Sequence, residues 1–67
     1  MEKLFERIKE LRMEKEVTQA EIAKSIGFTQ RAIAYWETGQ RMPNAQAIIV
    51  LAKYFGVSAD YLLGLED

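Results

Sequence analysis

Four side chains at helical spacing can supply groups that recognise base pairs: Gln30, Arg31, Ala34 and Tyr35. On a helix these residues share one side, while Ile33 and Trp36 fall on the other. A guanidinium can donate two hydrogen bonds to guanine, a glutamine amide can pair with adenine, and an alanine methyl can contact the methyl group of thymine. The pattern therefore predicts a helix with one core side and one side that can read base edges.

The stretch from Thr18 to Glu37 predicts a pair of short helices that would position these groups. Thr18 is a favourable N-cap for the first helix of the pair, and Glu21 three residues later completes a capping box. Val17 stands where an apolar residue packs onto Ile22 in the first turn. The first helix of the pair is therefore expected to start at Thr18.

The second helix of the pair carries a similar start signal. Thr29 can act as its N-cap, and Phe28 stands at the position that packs onto Ile33. Its capping box is incomplete, because Ala32 occupies the place of the acid. Between the two helices, Gly27 can adopt the positive φ that ends one helix and turns the chain into the next.

Residues 18–37 resemble the helix-turn-helix of the Cro and lambda-type phage repressor family, which belongs with the XRE-like transcriptional regulators. The residues that carry the resemblance are Gln19, Ala23, Gly27, Ile33, Trp36, Glu37 and Gly39. The resemblance extends over nearly the whole chain and implies one all-α domain of five helices over residues 1–67. The helices are expected at about 2–15, 18–26, 29–37, 44–55 and 58–64. The resemblance also implies an ion pair between Arg12 and Glu37.

The function that the resemblance implies is sequence-specific DNA binding by a transcriptional regulator, most simply a repressor. Its helix from Thr29 to Glu37 would enter the major groove, and a homodimer would read a pseudo-palindromic operator with half-sites roughly 34 Å apart. The expected partner is double-stranded DNA, and no cofactor or small-molecule substrate is implied. The residues expected to contact DNA are Gln19, Thr29, Gln30, Arg31, Ala34, Tyr35, Arg41 and Asn44.

Several of these residues have an ordinary structural explanation as well. Capping alone accounts for Thr29, and it also accounts for Asn44 at the start of the fourth helix. Arg41 lies in the loop from Thr38 to Pro43, where it can either contact phosphate or remain solvated. An aromatic residue such as Tyr35 packs on a helix as readily as it contacts a base.

The other helices are predicted to hold the pair in place. In the first helix Leu4, Ile8 and Leu11 form an apolar stripe, with Phe5 beside it. The fourth helix has apolar residues at spacings of three and four: Ala47, Ile48, Leu51, Ala52 and Phe55. A ladder of like charges on the first helix is expected to be solvated and to face away from DNA: Glu2, Glu6, Glu10 and Glu14.

The C-terminal helix starts at Ser58, another N-cap, and Leu62 is its expected core residue. Three further apolar residues follow the same stretch: Tyr61, Leu63 and Leu65. They can form a surface patch, and the resemblance implies pairing of two subunits through this region. They can equally complete the small core of a single domain. The sequence leaves both interpretations open.

The net charge of −1 is unusual for a DNA-binding chain, but its distribution is uneven. Residues 1–16 carry five basic and five acidic side chains, residues 17–53 carry four and two, and residues 54–67 carry three acids. The helix pair therefore lies in the positive part of the chain. An excess of two charges predicts modest affinity for each subunit and a need for dimerisation or further domains.

The composition also excludes several classes of function. The chain has no cysteine and no histidine, so thiolate metal sites, disulfides and histidine catalysis are absent. No phosphate loop or nucleophile elbow is found, and 67 residues leave little room for a cleft. We therefore expect no enzyme. The chain lacks a membrane-spanning apolar run, which predicts a cytoplasmic protein without a membrane partner, associated with the nucleoid when it is bound to DNA.

The alternative function is a protein-interaction module, or an antitoxin-type partner, that retains the fold and binds DNA weakly or not at all. The low net charge favours this alternative, whereas the presented Gln30, Arg31 and Arg41 favour DNA. The end at Asp67 fits either a complete small protein or the N-terminal domain of a longer one.

Overall fold

The computed structural model describes residues 2–67, which contain five helices. They are α1 (Glu2–Glu14), α2 (Gln19–Ile26), α3 (Gln30–Thr38), α4 (Ala45–Phe55) and α5 (Ala59–Leu63). These residues contain no strand. The predicted all-α, five-helix fold is confirmed.

The helix starts lie one residue later than predicted for α2 to α5, because the predicted first residues are N-caps with extended backbone. Each cap side chain accepts a hydrogen bond from the backbone amide three residues ahead, at 2.8 to 3.1 Å. The four caps are Thr18, Thr29, Asn44 and Ser58. At Thr18 the capping box is complete, since the backbone amide of Thr18 donates to Glu21 Oε1 at 2.8 Å.

Helix ends differ slightly from the prediction. Helix α1 ends at Glu14 rather than Lys15, and α5 ends at Leu63, so that Gly64 is its C-cap. Helix α3 continues to Thr38, one residue beyond the predicted end, and the Thr38 hydroxyl donates to the carbonyl of Ala34 at 3.0 Å. Thr38 is therefore the last residue of α3 rather than the first residue of the loop.

The turn between α2 and α3 depends on Gly27, as predicted. Gly27 has φ +79°, and its amide donates to the carbonyl of Ala23 at 3.0 Å. The next amide, that of Phe28, donates to the same carbonyl at 2.9 Å. The two helices are therefore joined by a tight turn in which two successive amides donate to one carbonyl.

The core lies where the inner sides of all five helices meet. Its buried residues are Leu4, Ile8, Ile22, Ala23, Ile33, Trp36, Ala47, Ile48, Leu51 and Leu62. The predicted stripe on α1 is present, with Leu4 and Ile8 fully buried and Leu11 and Phe5 packed against them. The rings of Trp36 and Phe28 meet edge to face, with centroids 5.1 Å apart. This contact packs α3 against the turn that precedes it.

The glutamate ladder of α1 is solvated where the structure describes it. Glu6, Glu10 and Glu14 are exposed. The side chain of Glu2 lies outside the described residues. The exposed acids therefore occupy the outer side of α1, as predicted.

The three apolar residues of the C-terminal region have different environments. Leu63 is half-buried and packs on the core, and Tyr61 lies under the guanidinium of Arg7 at 4.0 Å from its ring centre. Leu65 is 73% exposed. Among the three, Leu65 is thus the residue that offers most apolar surface to a second molecule.

Across residues 2–67, no helix has both the length and the apolar character that crossing a bilayer requires.

Candidate nucleic-acid interface

Helix α3 has one anchored side and one presented side. Ile33 and Trp36 are buried, whereas Gln30 and Arg31 are exposed at its first turn. Ala34 and Tyr35, one turn later, are half-buried. The helix is therefore fixed through its core side while its first turn stands free.

The C-terminal end of α3 is tied to α1 by an ion pair. Arg12 Nε donates to Glu37 Oε2 at 2.6 Å, and Arg12 Nη2 donates to Glu37 Oε1 at 3.1 Å. The side chain of Glu37 is only 3% exposed, against 16% for that of Arg12. This is the pair that the family resemblance implied, and its two-point geometry fixes orientation as well as distance.

Arg12 stays charged under all ordinary conditions. Its hydrogen bond to Glu37 raises the pKa of the guanidinium above its usual value; burial opposes this shift, and charge attraction to Glu37 adds to it. A raised pKa on a base contributes stability that is lost only when the pH rises through that pKa. The contribution of Arg12 is therefore constant across the neutral range.

Gln19 joins the same ion pair from the start of α2. Its amide nitrogen donates to Glu37 Oε1 at 3.1 Å. Glu37 therefore accepts hydrogen bonds from side chains of both α1 and α2. The predicted role of Gln19 at DNA has to coexist with this internal hydrogen bond, which the sequence did not indicate.

The loop after α3 folds back onto that helix. Gly39 has φ +78°, and its amide donates to the carbonyl of Tyr35. The amides of Gln40 and Arg41 donate to the same carbonyl at 3.0 and 3.4 Å. The Arg41 guanidinium lies 5.1 Å from the centre of the Tyr35 ring. Arg41 is thus held beside the presented side of α3.

An open groove of about 320 Å³ runs between α3 and this loop. It is lined by Phe28, Thr29, Arg31, Ala32, Tyr35, Trp36, Arg41, Met42 and Asn44. Two guanidinium groups, a phenol, a hydroxyl and an amide therefore surround a partly apolar floor. Such a set can donate hydrogen bonds to anionic oxygens and can accommodate flat or methylated groups.

The groove brings together five of the eight residues predicted to contact DNA: Thr29, Arg31, Tyr35, Arg41 and Asn44. Gln30 and Ala34 lie on α3 outside the groove lining, and Gln19 lies at the start of α2. The capping bonds of Thr29 and Asn44 use their side-chain oxygens.

Met42 is a lining residue that the sequence did not single out. It is 49% exposed and lies beside Arg41 in the loop. Helical periodicity identifies which side of α3 is presented, but a loop has no such period. The sequence therefore held no signal for Met42 beyond its proximity to Pro43.

Comparison with known proteins identifies the family. A family model described as "Helix-turn-helix" matches residues 8–62. The chain belongs to this helix-turn-helix family. Its fold is similar to that of the P22 c2 repressor protein, solved in complex with synthetic operator 9T in the presence of Tl⁺, with a TM-score of 0.85 and 34% identity. The similarity covers 88% of this chain and 89% of that one, which confirms the resemblance to phage repressors.

Curated relatives of this helix-turn-helix domain are named as regulators of transcription. The HTH-type transcriptional activator BcrR of Enterococcus faecalis is 34% identical over 62 residues, which are 92% of this chain and 30% of that protein. Repressor protein C2 of Salmonella phage P22 is 36% identical over 58 residues, which are 87% of this chain and 27% of that protein. The chain thus spans about a third or less of these two relatives. The family consists of regulators rather than enzymes, as the sequence indicated.

Proposed function

We propose that this helix-turn-helix domain binds double-stranded DNA, with α3 in the major groove, and regulates transcription. The observation that carries the proposal is the arrangement of α3, whose first turn is exposed while Ile33, Trp36 and Glu37 fix it to the rest of the fold. A rigidly held helix with free polar side chains is what groove reading requires. The similarity to a repressor solved on operator DNA supports the same assignment.

In this proposal the presented side of α3 reads bases. Arg31 would donate to guanine, Gln30 would pair with adenine, and the methyl of Ala34 would meet a thymine methyl. Tyr35 lies on the same side of α3, with its ring centre 5.1 Å from the guanidinium carbon of Arg41. Two of the readers, Gln30 and Arg31, are exposed at the start of the helix, where side chains reach bases most easily.

Phosphate contacts would flank the base readers. Arg41 offers a guanidinium, and Thr29 and Asn44 lie at helix starts, where free backbone amides favour anions. The capping bond of Asn44 uses its oxygen, so its amide nitrogen can still donate to phosphate. Gln19 would contact phosphate from the start of α2.

The distribution of charge supports DNA binding despite the net charge of −1. All four bases in residues 17–53 are exposed: Lys24, Arg31, Arg41 and Lys53. One of the two acids in the same stretch, Glu37, is buried in its ion pair with Arg12 and presents little negative charge. Residues 17–53 therefore present more exposed positive charge than negative charge, and Arg31 and Arg41 bring two of these bases to the groove beside α3.

We infer further that two copies act together as a homodimer on a pseudo-palindromic site, with half-sites roughly 34 Å apart. The modest positive excess of one domain favours the use of two, because each phosphate neutralised adds to affinity. Leu65, with Tyr61 and Leu63 beside it, is the candidate contact between the subunits. Pairing through residues of a longer chain would serve the same purpose.

The second candidate function is a protein-interaction module, and the observation that favours it is the net charge of −1. In that case the same side of α3 would meet a protein surface rather than a groove. DNA affinity would then be weak and would not depend on sequence.

The experiment that tests the proposal is selection of binding sites from random duplex DNA, followed by affinity measurements at two salt concentrations. An inverted repeat whose affinity falls steeply with salt would support a dimeric, sequence-specific regulator. Failure of the folded protein to enrich any site at low salt would contradict DNA binding and favour the interaction module.

Arg31→Ala is expected to relax specificity at one base pair of the selected site. Loss of a two-point contact to guanine should reduce discrimination there by about 1 to 3 kcal/mol and leave the other positions unchanged. Competition binding with single-base variants of the site measures this effect. An equal loss of affinity on every sequence would assign Arg31 to the phosphate backbone instead.

Arg41→Ala is the matched control for Arg31→Ala, because it also removes one guanidinium group, but from the loop after α3 rather than from α3 itself. It should weaken binding to all sequences alike and lower the salt dependence by about one phosphate contact. Binding to selected and random duplexes over a salt series measures both quantities. A change of base preference in this variant would contradict a phosphate role for Arg41.

A further inference from the structure

The loop after α3 is organised around one residue, Tyr35. Its carbonyl accepts hydrogen bonds from the amides of Gly39, Gln40 and Arg41. Its ring lies 5.1 Å from the guanidinium carbon of Arg41. Tyr35 therefore holds the loop through its backbone and the Arg41 side chain through its ring.

This contact suits an arginine that must meet phosphate. A cation–π contact requires no hydrogen-bond acceptor, so the N–H groups of a guanidinium that do not face the ring remain free to donate. A free arginine side chain loses much rotational freedom when it binds, and one already held in place loses less. Holding Arg41 on a ring should therefore favour a phosphate contact without consuming its donors.

We propose that Tyr35 is a positioning residue whose ring holds the Arg41 guanidinium at the groove between α3 and the loop, ready to contact a backbone phosphate of duplex DNA. This inference rests on the proposed DNA-binding function and deepens it. The ring of Tyr35, rather than its hydroxyl, has the role, and it acts through Arg41 rather than on a base.

The matched variants follow from this distinction. Tyr35→Phe keeps the ring and removes the hydroxyl, whereas Tyr35→Leu keeps apolar volume and removes the ring. If Tyr35 positions Arg41, the salt dependence of DNA binding should be the same in Tyr35→Phe as in the wild type, and the same in Tyr35→Leu as in Arg41→Ala. A base-reading hydroxyl predicts that Tyr35→Phe already changes base preference.

The first measurement uses the free protein and needs no DNA. The ring of Tyr35 should move the NMR resonances of the Arg41 groups next to the guanidinium carbon, the Nε–H and the Cδ methylene, upfield in the wild type and in Tyr35→Phe, and this shift should vanish in Tyr35→Leu. Random-coil positions for these resonances in the wild type would overturn the proposal. The wild type and Tyr35→Phe give this result even where Tyr35→Leu folds poorly.

The second measurement is the salt dependence of affinity for the selected duplex. Arg41→Ala and Tyr35→Leu should each reduce the magnitude of the slope of log K against log salt by about 0.9 for each bound subunit, the value for one phosphate contact on B-DNA. The double variant should lower it no further, because both changes remove the same contact. An unchanged slope in folded Tyr35→Leu, or additive losses in the double variant, would overturn the proposal.

Failure of the proposed function has a different outcome. If the folded wild type binds no duplex while the Arg41 resonances are shifted upfield, DNA binding itself is wrong, and the phosphate role of Arg41 is overturned with it. If the wild type binds with a normal slope and only the positioning variants disagree, DNA binding stands and the role of Tyr35 is overturned.

Discussion

Replacement of Arg12 by alanine is expected to lower the free energy of unfolding by about 3 to 5 kcal/mol, which is enough to unfold much of so small a domain. The variant would leave the carboxylate of Glu37, whose side chain is 3% exposed, without its charged partner. It would also remove the donor that reaches the carbonyl of Val17 at 3.0 Å. Urea denaturation followed by circular dichroism measures the loss.

Arg31→Ala is the control for this experiment, because it removes the same side chain from an exposed site on α3. Its effect on stability should stay within about 0.5 kcal/mol. The double variant Arg12→Met with Glu37→Leu should recover much of the loss, since a buried pair replaced by apolar residues leaves no unpaired charge. Equal stability of Arg12→Ala and Arg31→Ala would mean that water reaches Glu37 and that the pair does not hold α3.

The ion pair also connects the fold to the proposed function. Arg12 lies on α1, Glu37 at the end of α3 and Gln19 at the start of α2, so one cluster sets the relative position of the three helices. A small rotation of α3 would move Gln30 and Arg31 relative to the base pairs in the major groove of DNA. Variants of Arg12 or Glu37 that still fold should therefore weaken DNA binding, although neither residue is proposed to contact DNA.

Local signals in the sequence were sufficient to predict the helices. Capping at Thr18 and Ser58 depends on residues within three positions, and the turn at Gly27 depends on one residue, so a short stretch of sequence contains the information. The core side of α3 follows from helical spacing in the same way. For these reasons the predicted bounds differ from the observed ones by only one residue.

Contacts between distant side chains could not be predicted in this way. The hydrogen bond from Gln19 to Glu37 joins residues 18 positions apart and depends on the rotamers of both. The Arg41 guanidinium lies over Tyr35 because the loop turns back, and loops have no periodicity to read. The groove forms where this loop lies beside α3, so it shares the same cause.

The C-terminal region shows the same limit of local information. Spacing alone left Tyr61 and Leu63 either in the core or on a pairing surface. Tyr61 is covered by Arg7, a residue 54 positions earlier, which also donates to the carbonyls of Tyr61 and Glu66. The sequence could not indicate that a cation from α1 would cover this ring.

Gly39→Ala is expected to destabilise the domain much more than Gly27→Ala, although the two glycines have nearly the same backbone conformation, φ +78° and φ +79°. Alanine in this left-handed region costs about 1 to 2 kcal/mol at either site. A Cβ on Gly39 would lie 2.9 Å from two carbons of the Phe5 ring, whereas a Cβ on Gly27 would meet no atom within 4 Å. Overpacking against Phe5 should add about 1 to 3 kcal/mol at Gly39 only.

Urea denaturation of the two variants measures the difference, and Gly27→Ala is the internal control for backbone strain. The added cost at Gly39 should shrink when Phe5→Leu is combined with Gly39→Ala, because the smaller side chain leaves room for the new methyl group. Equal losses at the two glycines would mean that Phe5 moves aside freely. In that case the ring does not hold the end of α3 against α1, and the hydrogen bonds to the Tyr35 carbonyl and the Arg12–Glu37 pair hold the start of the loop that carries Arg41.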